Sequence, residues 1–563
     1  MLHLRSLQNL YSILTYCCNS RVLHIAQALP PTHINKFLHR FDKDIMRVAR
    51  TATGIDIPQQ DIIVQQRFPL PARLNGGKLR RSEDVAPAAY VANILNIVPS
   101  MMDHTDRGVV IPGILSHMED IFGRDSFTVG NENTRLKTFL QHRQQVPAAR
   151  HFLLHWKQLR SEIYGQDAAQ DDIPESSPFK ATVYAAGSDT EPKLQNKITK
   201  LREDERLRRM IKSILKDCKG KDFNSTPQHV MAFLSADRFS QQFVATPKTP
   251  TTTLGNDYFM EAWSTYMGTP SPVCKPWVNT KCSYVDSKGN VHTFTIDAHG
   301  NTITSVIMRG DHWRQHHDSL KHVILHLANW SFFPVTCEVY DMFSLYIKNA
   351  EKSKNLTVKQ KQAIVPDFHM GKDNTLADVK TASCCKTHYH PARFRNGIRH
   401  DAVRVRQQKV HGDYKAKANK ADEEFNNFTG PRHTGPVATR LSSFGRIKGL
   451  VCGAFGEGSS DLHDLCEQMA SSSVGRSSCE LGARTTDEAK SRAKRHIYRT
   501  IGVEMMRGIA ALRTHRLSMA ISENEGDRQA AARRIWARTS WDTNNRIYHE
   551  KHNFGSKSHV RPW

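Results

Sequence analysis

At 563 residues the chain has room for two to four domains, and its 39% apolar content permits packed cores. No apolar run of about 18 residues occurs, which excludes a membrane-spanning helix, and a mean hydropathy of −0.54 points to long polar connections. Lys and Arg number 79 against 55 acids, giving +24, the charge balance of a protein that meets a polyanion.

In chain order, residues 1–135 read as mostly helical, with turns at Pro30-Pro31 and Asn75-Gly76-Gly77. Residues 136–255 open with a helix through Trp156 and pass into a linker from Gly165 to Pro192, rich in Asp, Ser, Pro and Ala. A basic helix near 200–217 follows. Its run Lys200-Leu-Arg-Glu-Asp-Glu-Arg-Leu-Arg-Arg-Met-Ile211 and the later Arg492-Ala-Lys-Arg-His496 spread the positive charge over several elements. Such patches bind phosphates with little sequence preference and strong salt dependence.

Residues 256–472 read as an α/β unit that starts with a hairpin through Ser283 to Ile296. Leu320, Val323, Ile324 and Leu327 recur at helical spacing over His317 to Phe333, and Pro334 ends that helix. Thr336-Cys-Glu-Val-Tyr-Asp-Met-Phe343 then offers two acids, Glu338 and Asp341. Val365 to Met370 and Thr375 to Ser383 read as strands closed by Gly371-Lys-Asp-Asn374. That loop pairs Met370 with Thr375 and sets Asp367 opposite Asp378. Opposed residues have Cβ atoms about 5 Å apart, where like charges destabilise a sheet unless something binds between them. A divalent cation, Mg²⁺ or Mn²⁺, is the natural filler, because one or two carboxylates hold such an ion and leave its other positions to water and phosphate oxygens. Lys380, two residues beyond Asp378, shares its face by strand alternation. Two carboxylates and an ammonium on one face are parts suited to phosphodiester hydrolysis.

A long basic segment from Ala402 to Asp422, a strand near Gly449 to Phe455 and a helix capped at Ser459-Ser460 complete the unit. Gly453-Ala-Phe-Gly-Glu-Gly458 fits neither G-x-G-x-x-G nor a Walker motif, so nucleotide binding is not expected. Its reading is close packing of the strand against the helix that starts at Ser460. Residues 473–563 open as Ser-rich coil and continue as a basic helical tail carrying Ile497, Ile501, Met505, Ile509 and Leu512 on one side, with an end rich in Arg, Asn and His expected to be disordered. No internal repeat is found.

Pro366-Asp367 followed after a turn by Asp378-Val379-Lys380 resembles the PD-(D/E)xK nuclease superfamily. The resemblance implies a restriction-like endonuclease core with Asp367, Asp378 and Lys380 catalytic, Asp367 and Asp378 on the metal, and an acid from a preceding element. Glu338 is the preferred acid on that ground, as catalytic residue and metal ligand. It also implies a phosphate contact from the following helix, for which Arg404, Gln408 and Lys409 are the candidates. The wider order, with Arg21 to Ile34, Leu70 to Leu79 and Pro87 to Asn93 ahead of this unit, resembles the C-terminal part of protist retroelement reading frames. There a thumb-like helical region follows the reverse-transcriptase palm and precedes the endonuclease. No Tyr-x-Asp-Asp strand occurs, the adjacent pair Asp171-Asp172 lying in a polar loop, so the palm is expected upstream or lost and no polymerase activity follows.

Eleven cysteines with no secretory signal read as reduced thiols of an intracellular protein. Cys274, Cys282 and His292 lack a fourth soft ligand, and Cys384, Cys385, His388 and His390 stand too close together for one tetrahedral ion, so zinc is not the favoured metal. The expectation is an α+β multidomain protein: a mostly helical N-terminal region, a nuclease-like α/β core and a helical tail. Its function is that of a retroelement-derived, Mg²⁺-dependent DNA endonuclease in the nucleus or cytoplasm. Its partners are DNA and element RNA, with a homodimer where both strands are cut. The first 29 residues, with Arg5, Arg21 and no acid, match a mitochondrial presequence less well than the thumb-like pattern. The rival reading is a non-catalytic nucleic-acid-binding remnant.

Overall fold

The structure, a computed structural model, describes residues 6–54, 62–106, 147–164, 194–217, 226–285, 289–306, 308, 311–338, 342–347, 364–371, 374–386, 388–389, 401–428, 434–474 and 481–522. The chain is mixed α+β and divides into two units, one of residues 12–51 and 65–216, the other of residues 1–11, 52–64 and 217–563. The Gly165–Pro192 linker and the end beyond residue 522 lie outside the described residues. No described helix is long and apolar enough to cross a membrane.

The first unit is helical. Val22, Ala26, Ile34 and Leu38 pack on Ala86 and Ala89 of the Ser82–Asp106 helix, whose small side chains let the backbones approach closely. The expected turn at Asn75 is present: Asn75 is left-handed at φ 58°, and its carbonyl accepts from the buried Arg67 Nε at 2.8 Å.

The second unit contains a small antiparallel hairpin, β1 (Lys281–Val285) on β2 (Val291–Thr295), in the register Tyr284 opposite His292. Its main sheet has the order β3 (Val335–Cys337), β4 (Phe368–Met370), β5 (Thr375–Thr381), β6 (Lys448–Cys452). The first three strands are antiparallel neighbours; β6 runs parallel to β5. A parallel neighbour requires a crossover. It is supplied by the long helix Asp401–Asn426 and the short helix Pro436–Ser442.

Four helices of this unit matter below: α1 (His312–Trp330), α2 (Asp401–Asn426), α3 (Ser460–Ser472) and α4 (Thr486–Ser522). Strand alternation sends Ala377 and Val379 into a core with Leu320, Ile324 and Leu327 of α1, Leu462 and Leu465 of α3, and Ile497 and Ile501 of α4. Leu376 faces the other way, into a core with Val410, Tyr414, Ala418 and Ala421 of α2 and with Val437 and Leu441. The sheet is therefore covered on both faces. At Gly449, in β6, an added Cβ would stand 3.0 Å from Gln407 Cα of α2, so a side chain there would push this strand and the crossover helix apart by a few tenths of an ångström.

Two expectations are modified. The tail expected from residue 473 is not separate: α4 packs against α1, α3 and the Asn256–Met267 helix, and its apolar side is core. The glycine loop Gly453–Gly458 packs against the Phe239 ring rather than only along α3, and it buries Glu457 completely. The Ser459 cap is as expected, its hydroxyl accepting from Leu462 N at 3.3 Å.

Glu457 accepts from Tyr389 Oη at 2.5 Å and from Phe455 N at 2.9 Å. Burial pushes its carboxyl up to about 7 from 4.5, more than these bonds pull it down. A carboxyl raised by folding favours the native state below the unfolded value and loses that advantage as pH rises through the folded one. Stability should therefore fall between pH 4.5 and about 7 by about 3 kcal/mol from this group. Glu457→Gln is expected to flatten that slope, read as the urea midpoint at pH 5 against pH 8.

Candidate active site

The hairpin follows the strand count up to the aspartates. Met370 pairs with Thr375, His369 with Leu376 and Phe368 with Ala377, and the ladder ends there, one residue short of Asp367 and Asp378. Pairing of β4 stops at Phe368, which frees the Asp367 side chain to turn toward the end of β5. There Asp367 Oδ2 accepts from Val379 N at 2.8 Å. Asp378, 3% exposed, ion-pairs with Lys380 through Oδ2, and its Oδ1 accepts from Tyr414 Oη at 2.8 Å. Tyr414 reaches the sheet because it lies on the buried stripe Val403, Gln407, Val410, Tyr414, Ala418 of α2.

Three residues of α1 join the group, and none was singled out from sequence. His317 Nε2 stands 3.1 Å from Asp367 Oδ2 and 3.1 Å from the Val379 carbonyl, while its Nδ1 stands 3.0 Å from Asp318 Oδ1. Lys321, 5% exposed, ion-pairs with Glu338 and lies 3.6 Å from Asp318 Oδ1 and 4.0 Å from Asp367 Oδ1. The signal was present in the sequence: His317, Lys321 and Ile324 fall on one helical stripe, and a lysine on an apolar stripe needs a buried acid.

Glu338 follows β3 rather than sitting on a helix. Its N–H donates to the Asp367 carbonyl at 3.0 Å and its φ is +48°, a left-handed conformation rare for a residue with a Cβ. Its side chain meets Lys321, not the aspartate pair. Asp341 lies outside the described residues. Arg404, Gln408 and Lys409 are on the exposed face of α2. The inward amide of that helix is Gln407, whose Nε2 donates to Ser460 Oγ at 2.9 Å.

The two aspartates differ electrically. Burial, with the Asp367 charge added, pushes the Asp378 carboxyl above its ordinary 3.8 despite Lys380 and Tyr414. Burial acts on Asp367 too, but the His317 hydrogen bond and charge, the Val379 N–H and Lys321 outweigh it and hold Asp367 below 3.8. Burial opposes the charge of His317 and is outweighed by Asp367 and Asp318, so its imidazole is held above 6.5.

The signs follow directly. The Asp367 contribution is present above 3.8 and is lost as pH falls through its lowered value. The His317 contribution is present below 6.5 and is lost as pH rises through its raised value. In the absence of divalent ions, a double-mutant cycle of Asp367→Asn with His317→Gln is therefore expected to show its largest coupling at pH 5 to 6. The coupling should shrink toward zero once the pH exceeds the raised His317 value.

Asp367, just before β4, and Asp378, in β5, are hard oxygen donors of the kind that suits Mg²⁺ or Mn²⁺. Among the described residues no group of three or more His, Cys, Asp and Glu side chains gathers as a metal cage. The soft-ligand clusters are occupied otherwise. Cys274 and Cys282 are buried with Tyr284, Phe294 and Ile303, and burial pushes the Cys274 thiol up to about 12. His292 stacks on Tyr284 at 5.1 Å. Cys384 packs on Gln228, Cys385 stands 3.4 Å from His388 Nδ1, and His390 lies outside the described residues.

Part of the basic charge is spent within the protein. On the Leu194–Asp217 helix, Arg202 pairs with Glu162, Arg206 with Asp84 at 2.8 Å, and Arg208 and Arg209 with Glu205. Arg492 pairs with Glu488 and Lys494 with Glu467. By contrast α2 carries Arg404, Lys409, Lys415 and Lys417 outward along one helix. No protein-family profile, curated protein or solved structure matches the chain.

Proposed function

We propose that the 217–563 unit is a divalent-metal-dependent DNA endonuclease whose site is Asp367, Asp378 and Lys380. The observation that carries this reading is the hairpin register, whose last pair, Phe368 with Ala377, stands one residue from both Asp367 and Asp378, with a lysine paired to the second aspartate. The helix, hairpin, basic helix, strand and capped helix read from the sequence occur in that order within a mixed α+β unit, the class in which this reading places them. Retroelement origin remains part of the proposal on the sequence resemblance alone.

The residues divide the work as follows. A divalent ion bound by the carboxylates would polarise the scissile phosphate and acidify a water. Asp367, ionised through its contacts to His317 and Val379 N–H, supplies the fixed negative charge. Asp378, oriented by Tyr414, supplies the second oxygen. Lys380 compensates the Asp378 charge and sits where an ammonium can orient water or offset charge that develops on phosphate. Lys321 belongs to the support, holding Glu338 and facing Asp318. The outward basic row of α2 offers nonspecific phosphate contacts, with affinity falling as salt rises.

An end-labelled DNA duplex incubated with the full chain and Mg²⁺ or Mn²⁺ is expected to be cut, and to remain whole in EDTA. Salt-sensitive binding with an uncut duplex in every lane would reject the enzyme and leave the nucleic-acid-binding remnant.

A further inference from the structure

The turn that follows β5 holds a thiol and an imidazole against each other. Three contacts pin that turn: Ala382 N donates to the Cys452 carbonyl at 2.8 Å, Cys384 Sγ lies against the Gln228 amide, and Tyr389 Oη donates to Glu457 and accepts from Ala454 N at 2.7 Å. Within it, Cys385 Sγ stands 3.4 Å from His388 Nδ1 and accepts from Ser383 Oγ at 3.7 Å. His388 Nδ1 also stands 3.1 Å from the Ser383 carbonyl. A carbonyl oxygen only accepts, so Nδ1 carries the proton and presents the same N–H to the sulfur.

Two donors aimed at one sulfur favour the thiolate, because hydrogen bonds to an anion stabilise it over the neutral form. The imidazole responds in turn: its hydrogen bond to Cys385 outweighs burial and holds His388 above 6.5. Cations flank the pair, with Lys386 exposed beside Cys385 and Arg406 of α2 facing His388. Cys385 and His388 are both half-buried, which leaves the sulfur within reach of a small reagent. Other described thiols are set differently: Cys274, Cys282, Cys384, Cys452 and Cys466 are buried, and burial raises those of Cys18 and Cys337.

We propose that Cys385 is a site of modification by a low-molecular-mass disulfide that carries carboxylates, with His388 and Ser383 as positioning residues. The Cys385 thiolate attacks one sulfur of the reagent and forms a mixed disulfide. The reagent's own S–S bond breaks, and its second half leaves as a thiolate that takes a proton from solvent. The exchange needs no oxidant other than that disulfide. It is independent of the nuclease reading.

The test is a time course of the full-length protein with oxidised glutathione, quenched in acid and read cysteine by cysteine by peptide mass spectrometry. Exposed Cys17 is the reference within the same molecule. At about pH 6.5, Cys385 is expected to react about 5-fold faster than Cys17, the gain left when a larger thiolate fraction is set against lower intrinsic nucleophilicity. His388→Ala should abolish that advantage without changing Cys17, and His388→Asn, whose amide N–H replaces Nδ1–H, should restore part of it. A merely structural histidine would not be rescued in this way. Buried Cys466 reports folding: it stays unlabelled in a folded variant, and if a variant labels there, the parent ratio alone decides. Cys385 reacting no faster than Cys17 in the parent would overturn the proposal, as would a folded His388→Ala protein that keeps the parent ratio.

Discussion

Lys380→Ala is expected to slow DNA cleavage by about 10²–10³-fold, the loss typical when one preorganised charge aimed at a transition state is removed. Lys380 is the cation paired with Asp378, a carboxylate 3% exposed whose proton affinity burial has already raised. Without the ammonium, that carboxyl rises further, and its ionised form is less available to hold metal or water. Two readouts separate these effects. DNA affinity at fixed salt should change little, because Lys380 is one charge beside the outward row of α2. Single-turnover cleavage should carry the loss, and raising the pH should restore part of it. A loss of DNA affinity equal to the loss of cleavage would instead make Lys380 a plain phosphate contact.

The second large effect concerns α4. Arg513, 5% exposed, donates to Glu261 Oε2 at 2.7 Å, while Glu261, with no exposure, also accepts from Ser271 Oγ at 2.6 Å and from Val273 N at 2.7 Å. Arg513→Ala would leave the Glu261 charge buried without its cation, a loss of about 3–5 kcal/mol. In a unit of this size the melting temperature should fall by roughly 5–15 °C. Glu261→Gln with Arg513→Met should be much milder, since removing both charges ends the imbalance. If Arg513→Ala melts like the parent, the Arg513–Glu261 pair does not hold α4 in the unit. The same packing means that a fragment of residues 256–472 lacks part of its own core, so cleavage is best measured on the full chain.

The hairpin was legible because its information is local. A turn of four residues fixes the register, and period-two alternation then dictates which side chains share a face. Periodicity also placed α1, and the Ser459 cap placed the start of α3. What was not legible depends on partners far away in the chain. His317 acquires its role from Asp367, Lys321 from Glu338, and Tyr414 from Asp378, and each looks like an ordinary surface residue of a polar helix until the sheet is assembled. On α2, Gln407 turns inward while the candidates Arg404, Gln408 and Lys409 turn out, a difference set by helical phase against β6. The buried charges of α4 were not legible for a related reason. Arg513 and Arg516 resemble solvated charge in sequence, but Glu261 and the carbonyls of Ile303 and Val306 receive them inside the protein.

The most direct test of the central claim is nicking of supercoiled plasmid by the purified full-length protein, compared with the Asp367→Asn, Asp378→Asn double variant prepared in the same way. The expected result is conversion to open circles in Mn²⁺ or Mg²⁺, none in EDTA, and none with the double variant, which should still shift the plasmid at low salt. Equal nicking by both proteins, or binding without nicking by the parent at any divalent concentration, would contradict a nuclease built on these two aspartates.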